Sequence, residues 1–461
     1  MGAPKNLTHL TWAEGWRKLA HLAAFWPAFL LPWLTPGQAI LIAFALVLMN
    51  VFILPRLGKI LYRTEEPGLG ALEIVLYPFA VMACAAAFGW VGEATGNPPW
   101  YIPFAATWFA LACIDPIIGI ACRLLPIGPT LPWNSRKPVL AICLGALTAC
   151  LPTWLLAHWV LPPHSPMGWT WLFAMVCFCA LVETAWFGIA DNLVIPFSLC
   201  VIIPFIPSPL FAEVGVFDMG LGPNWALILV PLAFGIAAFT ARLLTVSGSI
   251  LGGLLALVLM LANPWLFAFL GGFFILGNLA TRFGLQRKQG LGIAEARGGK
   301  RGAAEVFGAM GMAAWMTPLV HLTRSESEGV AHAALLVCIA PLVAKTMDTV
   351  SSEIGKAMTG KTFSPLSLRA VPPGSQGGVS LGGTLWGLVA AVALGLPILL
   401  LGWGNWVDVL ILIGIALIAN LFESYWGEWA APRGMDQGAH TNVLMTMVAA
   451  ILAWIAWIGI R

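Results

Sequence analysis

The stretch "AHAALLVCIAPLVAKTMDTVSSEIGK", Ala331 to Lys356, decides what kind of molecule this is. Ala331 to Ala344 is an apolar run able to lie inside a bilayer. Lys345, Asp348, Glu353 and Lys356 then follow within twelve residues, interleaved with hydroxyls. Charges on a membrane helix are costly unless they meet water, a partner or a ligand. The stretch therefore predicts a helix that ends at Asp348 at the membrane edge and presents its charges to something held there.

The rest of the chain supports a bilayer as solvent. It is 60% hydrophobic and 9% charged, with mean hydropathy +0.89, which excludes an ordinary soluble domain and predicts an all-α, polytopic membrane protein. The nine cysteines lie in or beside apolar runs without zinc-site spacing and read as small packing residues. The seven histidines show no metal-site spacing, and the 23 tryptophans read as interfacial belts. No removable signal peptide is expected ahead of the first apolar run, and no nucleic-acid partner is expected.

Apolar runs start near residues 22, 38, 73, 102, 138, 169, 193, 225, 248, 265, 304, 332, 379, 407 and 442, which predicts about fifteen transmembrane helices. Those near 22, 193 and 248 are short enough to be re-entrant. With a cytoplasmic N-terminus, 20 of the 23 basic residues fall in inner loops, all but Arg324, Lys345 and Arg461. The positive-inside rule then places the polar motifs on the cytoplasmic face, in the plasma membrane if the source is bacterial.

The chain also reads as two parallel repeat-like halves. In each, a basic loop precedes an apolar helix that closes on an aspartate, Asp115 or Asp348. A polar loop and two further helices follow, the second ending in "LVET" at Glu183 or "LFES" at Glu423 and Ser424. Then come "DNL", with Asp191 and Asn192, or "TNVL", with Asn442. The expected domains are 1–207 and 222–461, joined by an external linker, 208–221.

Four polar patches in the second half carry the chemistry. "GGKRG" combines backbone freedom with the charges of Lys300 and Arg301, as an oxyanion site requires. Asp348 and Glu353, with Ser352 between them, are candidate ligands for Mg²⁺, which takes one or two carboxylates plus phosphate oxygens. "VPPGSQGGVSLGGTLWG" holds Gly374, Gly377, Ser380 and Thr384 ahead of an apolar helix, where backbone N–H groups can cradle an anion. It lacks the GK[ST] ending of a Walker A loop. "ANLFESYWG" places Asn420 and Glu423 on one helical face. Together the patches predict an electropositive, glycine-rich surface suited to phosphoryl transfer, which needs mostly positioning and charge neutralisation.

These motifs, with "LGNLATRFGLQRKQGLGIAEARGGKRGAAEVFG", resemble the plant and cyanobacterial phytyl-phosphate kinase family over about Ala241 to Ala450. The resemblance implies phosphorylation of a prenyl monophosphate to the diphosphate, with CTP as favoured donor. It carries roles onto Lys300, Arg301, Lys345, Asp348, Ser352, Glu353, Lys356, Gly374, Gly377, Ser380, Thr384, Asn420, Glu423, Ser424 and Asn442. Glu305 departs from the Gln or Asn of many relatives.

The first half is similar, more loosely, to CTP-dependent phytol and dolichol kinases through "NVFILPRLGKILYRTEE", "ACID", "PWNSRK", "LVET" and "DNLVIP". This implies a prenol kinase using Asp115, Asn134, Lys137, Glu183, Asp191 and Asn192, although Ile118, Cys122 and Pro138 replace residues of that family's pattern. The expected activity is thus a membrane-embedded, two-step isoprenoid salvage kinase acting on prenol and prenyl phosphate lipids. A lipid cytidylyltransferase and a two-repeat transporter are the rival readings.

Overall fold

The helix that carries the diagnostic stretch runs unbroken from Glu328 to Ala357. In the computed structural model, which describes residues 18–19, 22, 26–49, 110–131, 134–160, 176–177, 179–180, 225–323, 327–358, 360–431 and 438–459, every residue of this helix from 333 to 350 is buried. An element buried on all sides belongs at the centre of a bundle. The helix therefore does not end at Asp348, as the charge pattern predicts. It continues nine residues further, because neighbouring helices satisfy its charges where water was expected to do so.

The chain divides into two compact units, Met1–Met219 and Gly220–Arg461. In the first, the described helices are α1 (Pro36–Leu48), α2 (Asp115–Leu124) and α3 (Val139–Val160). Thr35 and Gln38 close a capping box at the start of α1. Gly145 lets α3 approach α2 closely, since a Cβ there would lie 3.1 Å from Ile118 Cα. Strands β1 (Thr130–Leu131) and β2 (Asn134–Pro138) pair antiparallel between these helices. Asp115 opens α2 after a π-helical turn at Ala110–Ile114, so it too lies within a continuous helical stretch and does not close one.

The second unit is a helix bundle around the long helix. Its elements are α4 (Ala226–Thr240), α5 (Val246–Ala262), α6 (Pro264–Arg282), the short α7 (Leu285–Gly290), α8 (Ala303–Trp315), α9 (Thr317–Leu322), the central α10 (Glu328–Ala357), α11 (Leu381–Gly395), α12 (Pro397–Leu400), α13 (Trp406–Ala430) and α14 (Gly438–Trp454). Side-chain caps at Thr245, Asn263, Ser380 and Asn405 start α5, α6, α11 and α13. Helices α6, α8, α11, α13 and α14 all pack on α10.

Helices α10 and α11 cross closely. A Cβ at Gly387 would stand 2.8 Å from the Met347 carbonyl oxygen, and one at Gly383 would collide with that of Ser351. This is small-xxx-small packing, the usual device where lipid supplies no hydrophobic drive between helices. Large apolar side chains such as Leu381, Leu385, Val389, Leu410 and Ile418 point outward, as a bilayer permits.

Six described helices are long and apolar enough to cross a membrane: Pro264–Arg282, Ala303–Val320, Glu328–Ala357, Leu381–Leu400, Trp406–Ala430 and Gly438–Trp457. Shorter apolar helices cover Gly37–Leu46, Val139–Leu155, Ala226–Thr240 and Val246–Ala262. Most of the apolar runs starting near 22, 73, 102, 169 and 193 lie outside the described residues.

The up-and-down order of these spans brings residues 292–305, 345–384, 420–428 and 438–442 to one end of the bundle. Glu328 and the α12–α13 connection lie at the other. Exposed Lys361 and Glu328 are therefore expected to label from opposite faces when each is the sole cysteine, with Lys361→Cys reactive from the cytoplasm. Labelling from the same face would break the span order. Ser364, on the same loop as Lys361, is buried and donates to Glu428, so it is unsuitable as a probe.

Candidate functional site

The pocket end of α10 holds a polar quartet, three members buried and Asn442 half-buried. Lys345 Nζ donates to Asp348 Oδ2 at 2.6 Å and to Asn442 Oδ1 of α14 at 2.6 Å. Asp348 Oδ1 accepts from Asn420 Nδ2 of α13 at 3.3 Å, and the same amide reaches Ser351 Oγ at 3.4 Å. Lys345 and Asp348 are each only 7% exposed. The α-helical i, i+3 spacing places both on one face, and the two asparagines arrive from the facing helices. Asp348 sits nine residues before the end of α10, so the quartet lies about 13 Å below that end.

One and a half turns on, Glu353 forms a second cluster. It is 2% exposed, and both oxygens are occupied: Lys288 Nζ donates to Oε2 at 2.6 Å and Lys356 Nζ to Oε1 at 3.1 Å. Lys356 also reaches Glu295 Oε1 at 3.4 Å. Burial opposes ionisation of Glu295, but the Lys356 ammonium and its neighbours outweigh it and hold that carboxyl below its usual range. Asp348 and Glu353 thus belong to two separate ion clusters on different helix faces. Among the described residues, no group of three or more His, Cys, Asp or Glu side chains forms a metal cage.

Between and above these clusters lies a cavity of about 650 Å³. Its lining includes Lys300, Arg301, Glu305, Lys345, Asp348, Ser352, Glu353, Lys356, Gly374, Gly377, Ser380, Thr384, Asn420, Glu423, Ser424 and Asn442. Every site residue expected in the second half is among them. The expected electropositive character is not. Four cations, Lys300, Arg301, Lys345 and Lys356, face five carboxylates, Glu295, Glu305, Asp348, Glu353 and Glu423. Glu295 with Glu305, Asp348 with Glu353, and Glu423 come from three separate segments that the fold brings to one cavity.

The glycine-rich segment is a fixed wall. Strands β3 (Thr362–Phe363), β4 (Ala370–Val371) and β5 (Val379–Ser380) form a small antiparallel sheet with β3 central. Glu428 of α13 staples it: Ser364 Oγ donates to Oε1 at 2.5 Å and Leu366 N to Oε2 at 3.2 Å. Gly374 and Gly377 adopt φ of +85° and +69°, which only glycine takes without strain. Ser380 Oγ caps α11 by accepting from Gly383 N at 3.2 Å, and Thr384 Oγ1 donates to the Ser380 carbonyl at 3.1 Å. The N-terminus of α11, a fifteen-residue helix, therefore opens on the cavity with its partial positive charge. Lys300 and Arg301 arrive on the loop before α8, held by a backbone bridge between Leu244 and Arg301.

The model of the integral membrane protein DUF92 family matches residues 229–453, which contain the whole cavity lining. An uncharacterized membrane protein of Synechocystis, sll0875, is 34% identical over 181 residues, 39% of this chain and 67% of its own length. The chain belongs to the DUF92 family of integral membrane proteins. The chloroplastic protein VTE6 of Arabidopsis thaliana is also 34% identical, over 163 residues that make up 35% of this chain and about half (48%) of VTE6. The Methanocaldococcus jannaschii membrane protein MJ0933 is 28% identical over 183 residues, 39% of this chain and 71% of its length. No solved structure matches the chain.

The site residues expected in the first half lie outside the segment matched by the DUF92 model. Asp115 begins α2, and Asn134 and Lys137 lie on β2, which packs against α2. Glu183, Asp191 and Asn192 fall outside the described residues. In the second half, sequence reasoning missed Lys288, Glu295 and Glu428. Lys288 stands in "LQRKQG" among six basic loop residues, and nothing local distinguishes it from an exposed membrane anchor. Glu428 follows "FESYWG" on the same helical face as Ser424, the one pattern that could have drawn attention to it.

Proposed function

We propose that the DUF92 unit of this chain is a prenyl-phosphate kinase that transfers the γ-phosphoryl group of a nucleoside triphosphate, CTP by family resemblance, to a lipid monophosphate. The observation that carries this reading is the convergence, in one cavity at one end of a membrane bundle, of Lys300, Arg301, Lys345, Lys356 and the α11 N-terminus. A cavity of about 650 Å³ is of ligand size, and its polar lining suits phosphates more than a hydrocarbon tail. The prenyl chain stays among apolar helix faces while its phosphate enters the cavity. One oxygen of the lipid phosphate attacks the γ-phosphorus, the bond from that phosphorus to the β–γ bridging oxygen breaks, and the nucleoside diphosphate leaves.

The residues divide the work. Lys356, Lys300 and Arg301 offset charge on the phosphates, and the glycine wall holds them in line by backbone N–H groups. Five carboxylates beside two polyanions need added positive charge, and oxygen donors such as Asp348 and Glu423 suit Mg²⁺ bound with the donor phosphates. Glu353 is less suited to that role than Asp348, because ammonium groups hold both of its oxygens whereas Asp348 meets one ammonium and one longer amide contact. Bound Mg²⁺ supplies Lewis-acid neutralisation of the phosphate oxygens.

The first unit is proposed to phosphorylate the free prenol, with Asp115, Asn134 and Lys137 in the corresponding roles. Asp115→Asn is then expected to block use of prenol and to leave turnover of prenyl monophosphate within about twofold of wild type, with Asp348→Asn doing the reverse. Chromatographic separation of prenol, monophosphate and diphosphate checks this. Wild-type protein that converts the monophosphate but leaves prenol untouched would restrict catalysis to the second unit. The transporter reading requires a polar path across the bundle. On the far side of Lys345, residues 333–344 of α10 are buried and carry only one weakly polar side chain, Cys338.

A further inference from the structure

We propose that Lys288 is a positioning residue: by engaging Glu353 from behind the cavity, it leaves Lys356 available to an anionic ligand. This rests on the reading that the cavity takes phosphates. Lys288 is 0% exposed and does not line the cavity. Its ammonium donates to the carbonyls of Ala280 (3.3 Å) and Thr281 (2.7 Å), near the C-terminus of α6, and to Glu353 Oε2 (2.6 Å). The Ala280 carbonyl also accepts from Phe283 N at 3.2 Å, so the lysine adds a partner to the last-turn carbonyls, where the helix end favours a cation, while bringing a full charge to Glu353.

The consequence falls on Lys356. This lysine borders the cavity between two carboxylates, Glu353 and Glu295. If Glu353 had no other partner, its buried charge would fall wholly on Lys356, draw the ammonium away from the cavity and cancel it. Lys288 takes up the charge of Glu353, so Lys356 keeps a net attraction for an incoming anion. The group of Lys288, Lys356, Glu353 and Glu295 is net neutral, and removing Lys288 leaves it with one net negative charge beside the cavity.

The test measures binding of inorganic pyrophosphate to the purified full chain in detergent by calorimetry, with thermal unfolding of each variant in parallel. Lys288→Met is expected to weaken pyrophosphate binding about tenfold or more. The double variant Lys288→Met/Glu353→Gln restores the net charge and is expected to return affinity to within about threefold of wild type. A merely structural lysine would lower the unfolding temperature of Lys288→Met and leave its pyrophosphate affinity unchanged at temperatures where the variant is folded. Should Lys288→Met fail to fold, the double variant decides: affinity near wild type supports the proposal, and loss of affinity overturns it. A folded Lys288→Met protein that binds pyrophosphate as wild type does also overturns it. Wild-type protein that binds no pyrophosphate refutes both this inference and the phosphate-pocket reading. Pyrophosphate binding without phosphoryl transfer to any lipid phosphate sinks the kinase reading alone.

Discussion

Asp348→Asn is expected to lose at least about 100-fold in turnover of prenyl monophosphate and to destabilise the fold at the same time. The charge pattern alone places this residue at the water edge, where its loss would spare folding. The structure buries it, with Lys345 on one oxygen and Asn420 on the other. Replacing the carboxylate by an amide leaves the Lys345 ammonium buried among neutral groups, and removing one partner of a buried ion pair typically costs about 3–5 kcal/mol. A charge-neutral double variant, Lys345→Met/Asp348→Asn, separates the two effects. It is expected to recover much of the unfolding temperature and none of the turnover. Near-normal turnover in the single variant would remove Asp348 from the catalytic machinery.

Gly377→Ala is the second large effect. The residue sits at φ +69°, where a Cβ costs roughly 1–2 kcal/mol before any contact is counted. That Cβ would also collide with the Ser424 carbonyl oxygen and lie 3.0 Å from the Glu428 backbone nitrogen. Both belong to the backbone of α13, which cannot give way as a side-chain tip can, so the glycine wall must move off the helix. Overpacking of this kind adds about 1–3 kcal/mol. Because the wall carries Ser380 and the start of α11, its displacement reaches the cavity, and activity is expected to fall on the order of 100-fold. Gly378→Ala is the useful contrast. Its Cβ would lie 2.8 Å from Thr362 Cγ2, a side-chain methyl, although the Ser375 carbonyl at 3.0 Å leaves some strain. A Gly377→Ala protein with wild-type kinetics would show that the wall does not shape the site.

Much of the second unit was legible because the bilayer imposes long apolar runs, and the runs starting near 225, 248, 265, 304, 379, 407 and 442 begin within about four residues of the described helices. Lys345, Asp348, Asn420 and Asn442 were each legible as polar residues beside apolar runs, which membranes tolerate only with partners, but the sequence pattern grouped Asp348 with Glu353 and Asn420 with Glu423. The partners themselves were not legible. The i, i+3 pairing of Lys345 with Asp348 is local, but that Asn420 and Asn442 complete it depends on how α13 and α14 pack. For the same reason the sequence reading stopped α10 at its first charges. Strands β3 to β5 have two residues each, too few for any alternation to register. Lys288 looked like one more inner-loop cation. Its burial follows only from the C-terminus of α6 lying beside Glu353.

The central claim is phosphoryl transfer to a lipid phosphate in this cavity, and product analysis tests it most directly. Purified full-length protein, Mg²⁺, CTP and a prenyl monophosphate are incubated together, and the lipid and nucleotide products are identified by mass spectrometry. The account predicts prenyl diphosphate and CDP in equal amounts. Release of pyrophosphate with a CMP-linked lipid, or recovery of both substrates unchanged, would contradict it.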